Sequence, residues 1–112
     1  RKQAWNLAKN NKNLGLFIDP RMAIEFALMY AIDPNSEKDI TTYENTLYSD
    51  AEAVQERCTA KSTVYTANLI AAQVCKVVKD YLLGNPYVRI LQWDIANNIM
   101  KSYPNRVNKK RK

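Results

Sequence analysis

A chain of 112 residues with 46% apolar content is long enough for one domain with its own core. It has no histidine and only two cysteines, which excludes a Cys–His nucleophile pair, a His-bearing metal site and a C-x-x-C zinc site within these residues. The net charge of +6 belongs to residues 101–112, which carry six basic side chains and no acid, while residues 1–100 balance eleven against eleven.

The body is therefore no basic nucleic-acid platform. The tail, residues 101–112, reads as polar and disordered, either solubilising or docking weakly on nucleic acid or another acidic surface. No apolar run reaches the length of a membrane span and no signal peptide is visible, so no membrane partner is expected. Two unpaired thiols suit a reducing compartment, and a cytoplasmic location is the expectation.

In chain order, residues 1–11 read as a helix, with Ala4, Trp5, Leu7 and Ala8 on one stripe. Residues 14–18 form a short apolar run read as a buried strand, ended by Asp19-Pro20. Residues 25–32 are nearly all apolar and read as a second strand. Residues 33–38 are a turn by composition, where Ser36 or Asp39 could cap a short turn of helix. Ser49-Asp50-Ala51-Glu52 fits a capping box ahead of a short helix through Arg57.

Residues 64–83 carry a wide apolar face that predicts a long helix buried on most sides. Gly84 is its natural stop, with Pro86 just beyond. Residues 87–93 alternate in part and read as a third strand. Residues 94–100 are polar with scattered apolar positions and carry no assignment. Alternating strands and helices predict an α/β layer structure. Three strands make a thin sheet whose edges should pair with something outside this chain.

Cys58 is the most informative residue for chemistry. It lies just ahead of the long helix, where free backbone N–H groups and the helix dipole favour a thiolate, and Arg57 and Lys61 add positive charge. The thiolate is the nucleophilic form. A half-buried structural cysteine at a helix start is the other reading. Cys75, among Ala71, Ala72, Val74 and Val77, reads as a core residue. In one continuous helix the two would lie roughly 25 Å apart, too far for a disulfide. Tyr43, Tyr48 and Tyr65 gather around the Cys58 region as pocket wall or as packing. The two glycines, Gly15 and Gly84, form no phosphate-binding loop.

Three blocks resemble a known family. Ile18-Asp19-Pro20-Arg21-Met22 with Glu25 is similar to an "I-D-x-R-M-x-x-E" segment. Residues 43–53 resemble "Y-x-x-T-L-x-x-D-x-E-A". Residues 57–65, with the helix through Gly84, resemble the cysteine block that precedes a small-residue-rich helix. Their order and spacing resemble the ThiF/MoeB-type superfamily, the ubiquitin-activating-enzyme-like adenylyltransferases, over roughly residues 14–96.

The resemblance implies an α/β fold: the C-terminal part of a Rossmann-like adenylation domain, a few strands with a long buried helix. Residues 1–100 would be that half-domain. It also implies a chemistry, in which ATP and Mg2+ activate the C-terminus of a ubiquitin-like or sulfur-carrier protein and a cysteine takes up the acyl group or takes part in sulfur transfer. Cys58 matches that cysteine, and Arg1 matches an arginine near the nucleotide. Asp19, Arg21, Arg57 and Tyr65 are the implied pocket or partner contacts. The Gly-rich half, the "D-x-D" element and the zinc-ligating cysteines of many relatives are absent from these residues, and no zinc is expected. The expectation is a fragment, beginning at Arg1, that needs an N-terminal half and is inactive alone. Relatives are commonly dimers, so a homodimer is among the expected partners. The alternatives are a non-catalytic protein-binding domain of the same fold and a nucleic-acid-binding protein that works through the tail.

Overall fold

The computed structural model describes residues 2–47 and 63–104. Cys58, Arg57, Arg1, Tyr48, the capping box at Ser49 and residues 105–112 lie outside the described residues. The described chain is a small mixed α/β domain: three helices and a four-stranded sheet.

Helix α1 (Lys2–Lys9) comes first, then strands β1 (Phe17–Met22) and β2 (Phe26–Ile32), helix α2 (Glu37–Glu44), helix α3 (Val64–Leu83), and strands β3 (Val88–Asp94) and β4 (Ile99–Pro104). The sheet order is β1-β2-β3-β4, and every neighbouring pair is antiparallel. Doubly wound Rossmann-like sheets are built mainly from parallel strands, and that order is not visible among these four.

β2 explains the layering. Its side chains alternate: Ala27, Met29 and Ala31 pack with Ile70 and Val77 of α3, while Tyr30 and Ile32 pack with Trp5, Ala8, Tyr43 and Leu47. A central strand buried on both faces must be apolar throughout, which is why 26–32 shows no polar alternation. α1 and α2 thus cover one face of the sheet and α3 the other.

Local chemistry sets the element ends. Ser36 caps α2, its hydroxyl accepting from the Asp39 N–H. Thr63 caps α3 by accepting from the Thr66 N–H, and Gly84 ends it in the left-handed region at φ 72°. Gly15 lies against the Tyr81 hydroxyl, where a Cβ has no room. The β3–β4 turn uses the Asp94 carboxylate to accept from the Asn97 N–H, and Asn98 takes φ 57°.

Four expectations need correction. Asp19-Pro20 does not stop β1, which runs through it to Met22 with Pro20 opposite Met29. Extended backbone suits both proline and its predecessor, and an edge strand tolerates the missing N–H. α3 is not buried on most sides: Thr66, Ile70, Val77 and Asp80 are buried, while Val64, Val78, Leu82 and Leu83 are exposed. Cys75 is exposed on that outer side rather than in the core. β4 was unassigned in the sequence and extends past residue 100, so residues 101–104 are strand rather than tail. Among the described residues no helix is long and apolar enough to cross a membrane.

Candidate functional site

Antiparallel pairing and the two-residue strand period place Asp19 and Arg21 on the face of β1 that meets α2. Asp19 is buried, and its Oδ2 accepts from the Tyr43 hydroxyl at 2.6 Å and the Arg21 Nε at 3.1 Å. A second Arg21 nitrogen lies 3.0 Å from the same oxygen. It also donates to Thr46 Oγ1 at 3.0 Å, and that hydroxyl donates to the Tyr43 carbonyl at 2.7 Å. The guanidinium stands 4.9 Å above the Tyr30 ring centre and 5.8 Å from that of Tyr43, within cation–π range.

The cluster is thus a buried carboxylate–guanidinium pair, roofed by two tyrosines and tied to the end of α2. Burial and the bond donated to Asp19 hold the Tyr43 hydroxyl well above the usual tyrosine range. Tyr30 is raised mainly by burial, with Arg21 opposing. Tyr43 also packs edge-on against Trp5 at 4.9 Å and Tyr30 at 5.7 Å. It belongs to the core.

The sign of the Tyr43 shift gives a prediction. The unfolded chain loses the phenolic proton near pH 10, while the folded chain holds it to higher pH. Stability is therefore whole below about pH 10 and falls as pH rises above it. In denaturant titrations from pH 8 to 11, Tyr43→Phe should start less stable but show a shallower alkaline decline.

A second junction lies at the β1–β2 turn. The Ile24 carbonyl accepts from the Thr63 N–H at 3.2 Å and from the Thr66 hydroxyl at 3.0 Å. The Thr63 hydroxyl also donates to it, at 3.2 Å. The neighbouring Glu25 carbonyl accepts from the Ile95 and Ala96 N–H groups of the β3–β4 turn. The Tyr65 hydroxyl donates to the Glu25 carboxylate, which raises the exposed tyrosine above its ordinary range. The start of α3 is thereby pinned to one end of the sheet, its cap Thr63 five residues after Cys58 in sequence.

Of the residues singled out in the sequence, Asp19 and Arg21 meet each other, and Tyr65 stands at the α3 entrance. Arg1, Arg57 and Cys58 lie outside the described residues. Sequence reasoning missed Tyr30 and gave no role to Thr46. Tyr30 carried no signal of its own, because it is one apolar-run residue among seven. A second buried ion pair, Asp39 with Arg89 at 3.1 Å, ties α2 to β3. Asp39 Oδ2 also accepts from the Asp33 N–H, so this pair reads as structural.

The part of the sheet not covered by α1 and α2 presents Phe26, Gln92, Asp94, Ile99 and Lys101 around a shallow hollow of about 130 Å³. Phe26, Ile99 and the nearby Tyr103 are exposed apolar side chains. Among the described residues, no three Asp, Glu or Cys side chains converge as a metal would require. There is no Gly-rich loop either, so no residue here is assigned to ATP or Mg2+. No family model, no curated protein and no solved structure shows significant similarity to this chain.

Proposed function

We propose that these residues are the C-terminal part of a ThiF-like adenylyltransferase acting on a ubiquitin-like or sulfur-carrier protein, with Cys58 as the cysteine that accepts the acyl group or takes part in sulfur transfer. On this reading the four antiparallel strands continue a larger Rossmann-like sheet, and the nucleotide is held by residues outside this chain.

One observation carries the proposal. The first of the three sequence blocks that resemble the family is joined to each of the other two by side-chain hydrogen bonds: Asp19 to Tyr43 and Arg21 to Thr46 towards the second, Glu25 to Tyr65 towards the third. Residues that matter only for surface solubility would have no reason to interlock. The network has a chemical use on this reading. It fixes the chain on both sides of residues 48–62, the segment that carries Cys58, so that a nucleophile is presented from two rigid anchors.

The chemical step balances without a histidine. The Cys58 thiolate attacks the carbonyl of an acyl-adenylate, the C–S bond forms, the C–O bond to AMP breaks, and AMP leaves with the electron pair. The uncovered sheet around Phe26, Ile99 and Tyr103 is the surface where the carrier protein would rest on this reading. The same patch favours the second reading, a non-catalytic protein-binding domain of the same fold.

The test is a thioester assay on the enzyme containing residues 1–112, with ATP and a candidate carrier. A thiol-labile adduct that Cys58→Ser abolishes and Cys75→Ser leaves intact supports the enzyme. Carrier binding without any ATP-dependent adduct supports the binding domain. A simpler measurement bears on Cys58 alone: at neutral pH it should react with iodoacetamide faster than Cys75. Because Cys75 is exposed, that ordering reports thiolate character rather than access. Equal, slow labelling would count against a functional Cys58.

A further inference from the structure

The two edges of the sheet are not alike. β1 carries Pro20, and the Asp19 and Arg21 side chains on either side of it are committed to each other and to the end of α2. A proline blunts an edge, because it has no N–H to offer a further strand. β4 pairs with β3, and from Ile99 to Tyr103 it holds neither proline nor glycine. Every side chain in that stretch is exposed. Among the described residues no strand pairs with the outer side of β4, and the helices lie mainly over β1 and β2. Such an edge is a row of N–H and C=O groups that a further strand completes.

We infer that β4 takes up an extended, acidic segment of another protein by strand addition, with a carboxylate beside Lys101 and apolar side chains over Ile99 and Tyr103. Three features select this occupant. First, the backbone asks for a polypeptide. Alternating donors and acceptors along an edge are matched by a strand and not by a phosphate chain. Second, the side chains set its pattern. Cross-strand pairing puts Ile99, Lys101 and Tyr103 on one face with Phe26 and Gln92. Ile99 is 56% and Tyr103 47% exposed, and they flank the one charged side chain of the strand. The complement is apolar, acidic, apolar at alternate positions.

Third, the charge sets its sign. Residues 101–112 carry six basic side chains and no acid, so the sequence that continues from β4 reinforces Lys101. The same lysine disfavours a second copy as the occupant. Pairing β4 with β4 about a twofold axis at its middle sets Lys101 opposite Lys101, and like charges directly opposite are destabilising. Lys101 thus guards the edge against its own kind and admits an acid. The inference does not depend on the chemistry proposed for Cys58.

The experiment uses the protein containing residues 1–112 and a fluorescent, terminally blocked nine-residue peptide that alternates valine and glutamate. Binding is read by anisotropy, and backbone hydrogen exchange is read over β1 and β4. Saturable binding is expected, with exchange slowed in β4 and unchanged in β1. The same peptide N-methylated at its four central residues keeps its charge but cannot complete a ladder, and should bind at least about tenfold more weakly. Lys101→Glu, at an exposed position, should also weaken the acidic peptide and favour one that alternates valine and lysine. Equal binding of the methylated peptide would overturn the inference. So would binding that disappears when residues 105–112 are removed yet ignores Lys101→Glu, since the tail alone would then be the attraction. Slow exchange of the β4 amides before any peptide is added would overturn it as well, because the edge would already be paired by a second copy or by other residues of the protein.

Discussion

Asp19→Ala is expected to cost about 3–5 kcal/mol, the usual penalty for removing one member of a buried ion pair. Arg21 would keep its charge with only 14% of its side chain exposed, and the Tyr43 hydroxyl would lose its acceptor in the core. Against a total stability of about 5–15 kcal/mol for a domain of this size, that is a large fraction. Urea unfolding should show a lower midpoint with an unchanged slope. Replacing both partners, Asp19→Leu with Arg21→Met, should recover much of the loss, because breaking one side of a buried pair costs more than replacing the whole pair by apolar groups. If Asp19→Ala unfolds within about 1 kcal/mol of the wild type, the pair is as well solvated as a surface bridge and the rigid-anchor role fails.

Trp5→Ala is expected to cost about 3–5 kcal/mol through the cavity it leaves. The indole is 1% exposed and packs against Phe17 at 5.2 Å, tilted, and against Tyr43 at 4.9 Å, edge-on. Its Nε1 donates to Glu44 at 2.8 Å, and with Lys9 this bond holds the Glu44 carboxyl below its ordinary range. Through Glu44 the tryptophan ties α1 to the end of α2, so the substitution should also loosen the Tyr43 end of the Asp19 cluster. Trp5→Phe keeps the aromatic packing and loses the hydrogen bond, and should cost far less. Thermal melts of the three proteins separate the cavity from the bond.

Much of the fold was legible in the chain. α1, β2, α3 and β3 lie where periodicity and punctuation put them, because each buries a face whose pattern is written locally. Ser36 and Gly84 cap the helices for reasons that belong to single residues. β1 was read too short because Asp-Pro breaks a helix but not an edge strand. β4 was missed because Ile99-Met100-Lys101-Ser102-Tyr103 is a partner strand of β3, and no local signal says that β3 has a free side to pair with.

The site divides in the same way. The resemblance pointed to Asp19, Arg21 and Tyr65 as residues of interest, but the strand was read as ending at Asp19-Pro20, so the shared face of Asp19 and Arg21 came only from the structure. That Tyr43, twenty-four positions away, would donate to that carboxylate was not written anywhere along the chain. Nor was the exposure of Cys75: an apolar helix over 64–83 looks the same whether it is buried on all sides or on one.

The sequence by itself determined the types of α1, β2, α3 and β3, the Ser36 and Gly84 caps, the balance of charge in the first hundred residues and the absence of histidine from these residues. These depend on neighbours within a turn or two of backbone. The tertiary structure alone decided the antiparallel order, the pairing of Asp19 with Arg21 under Tyr30 and Tyr43, and which side of α3 faces outward. Those depend on contacts between residues far apart in the chain, where burial and pairing are set by the packing of whole elements rather than by any local pattern.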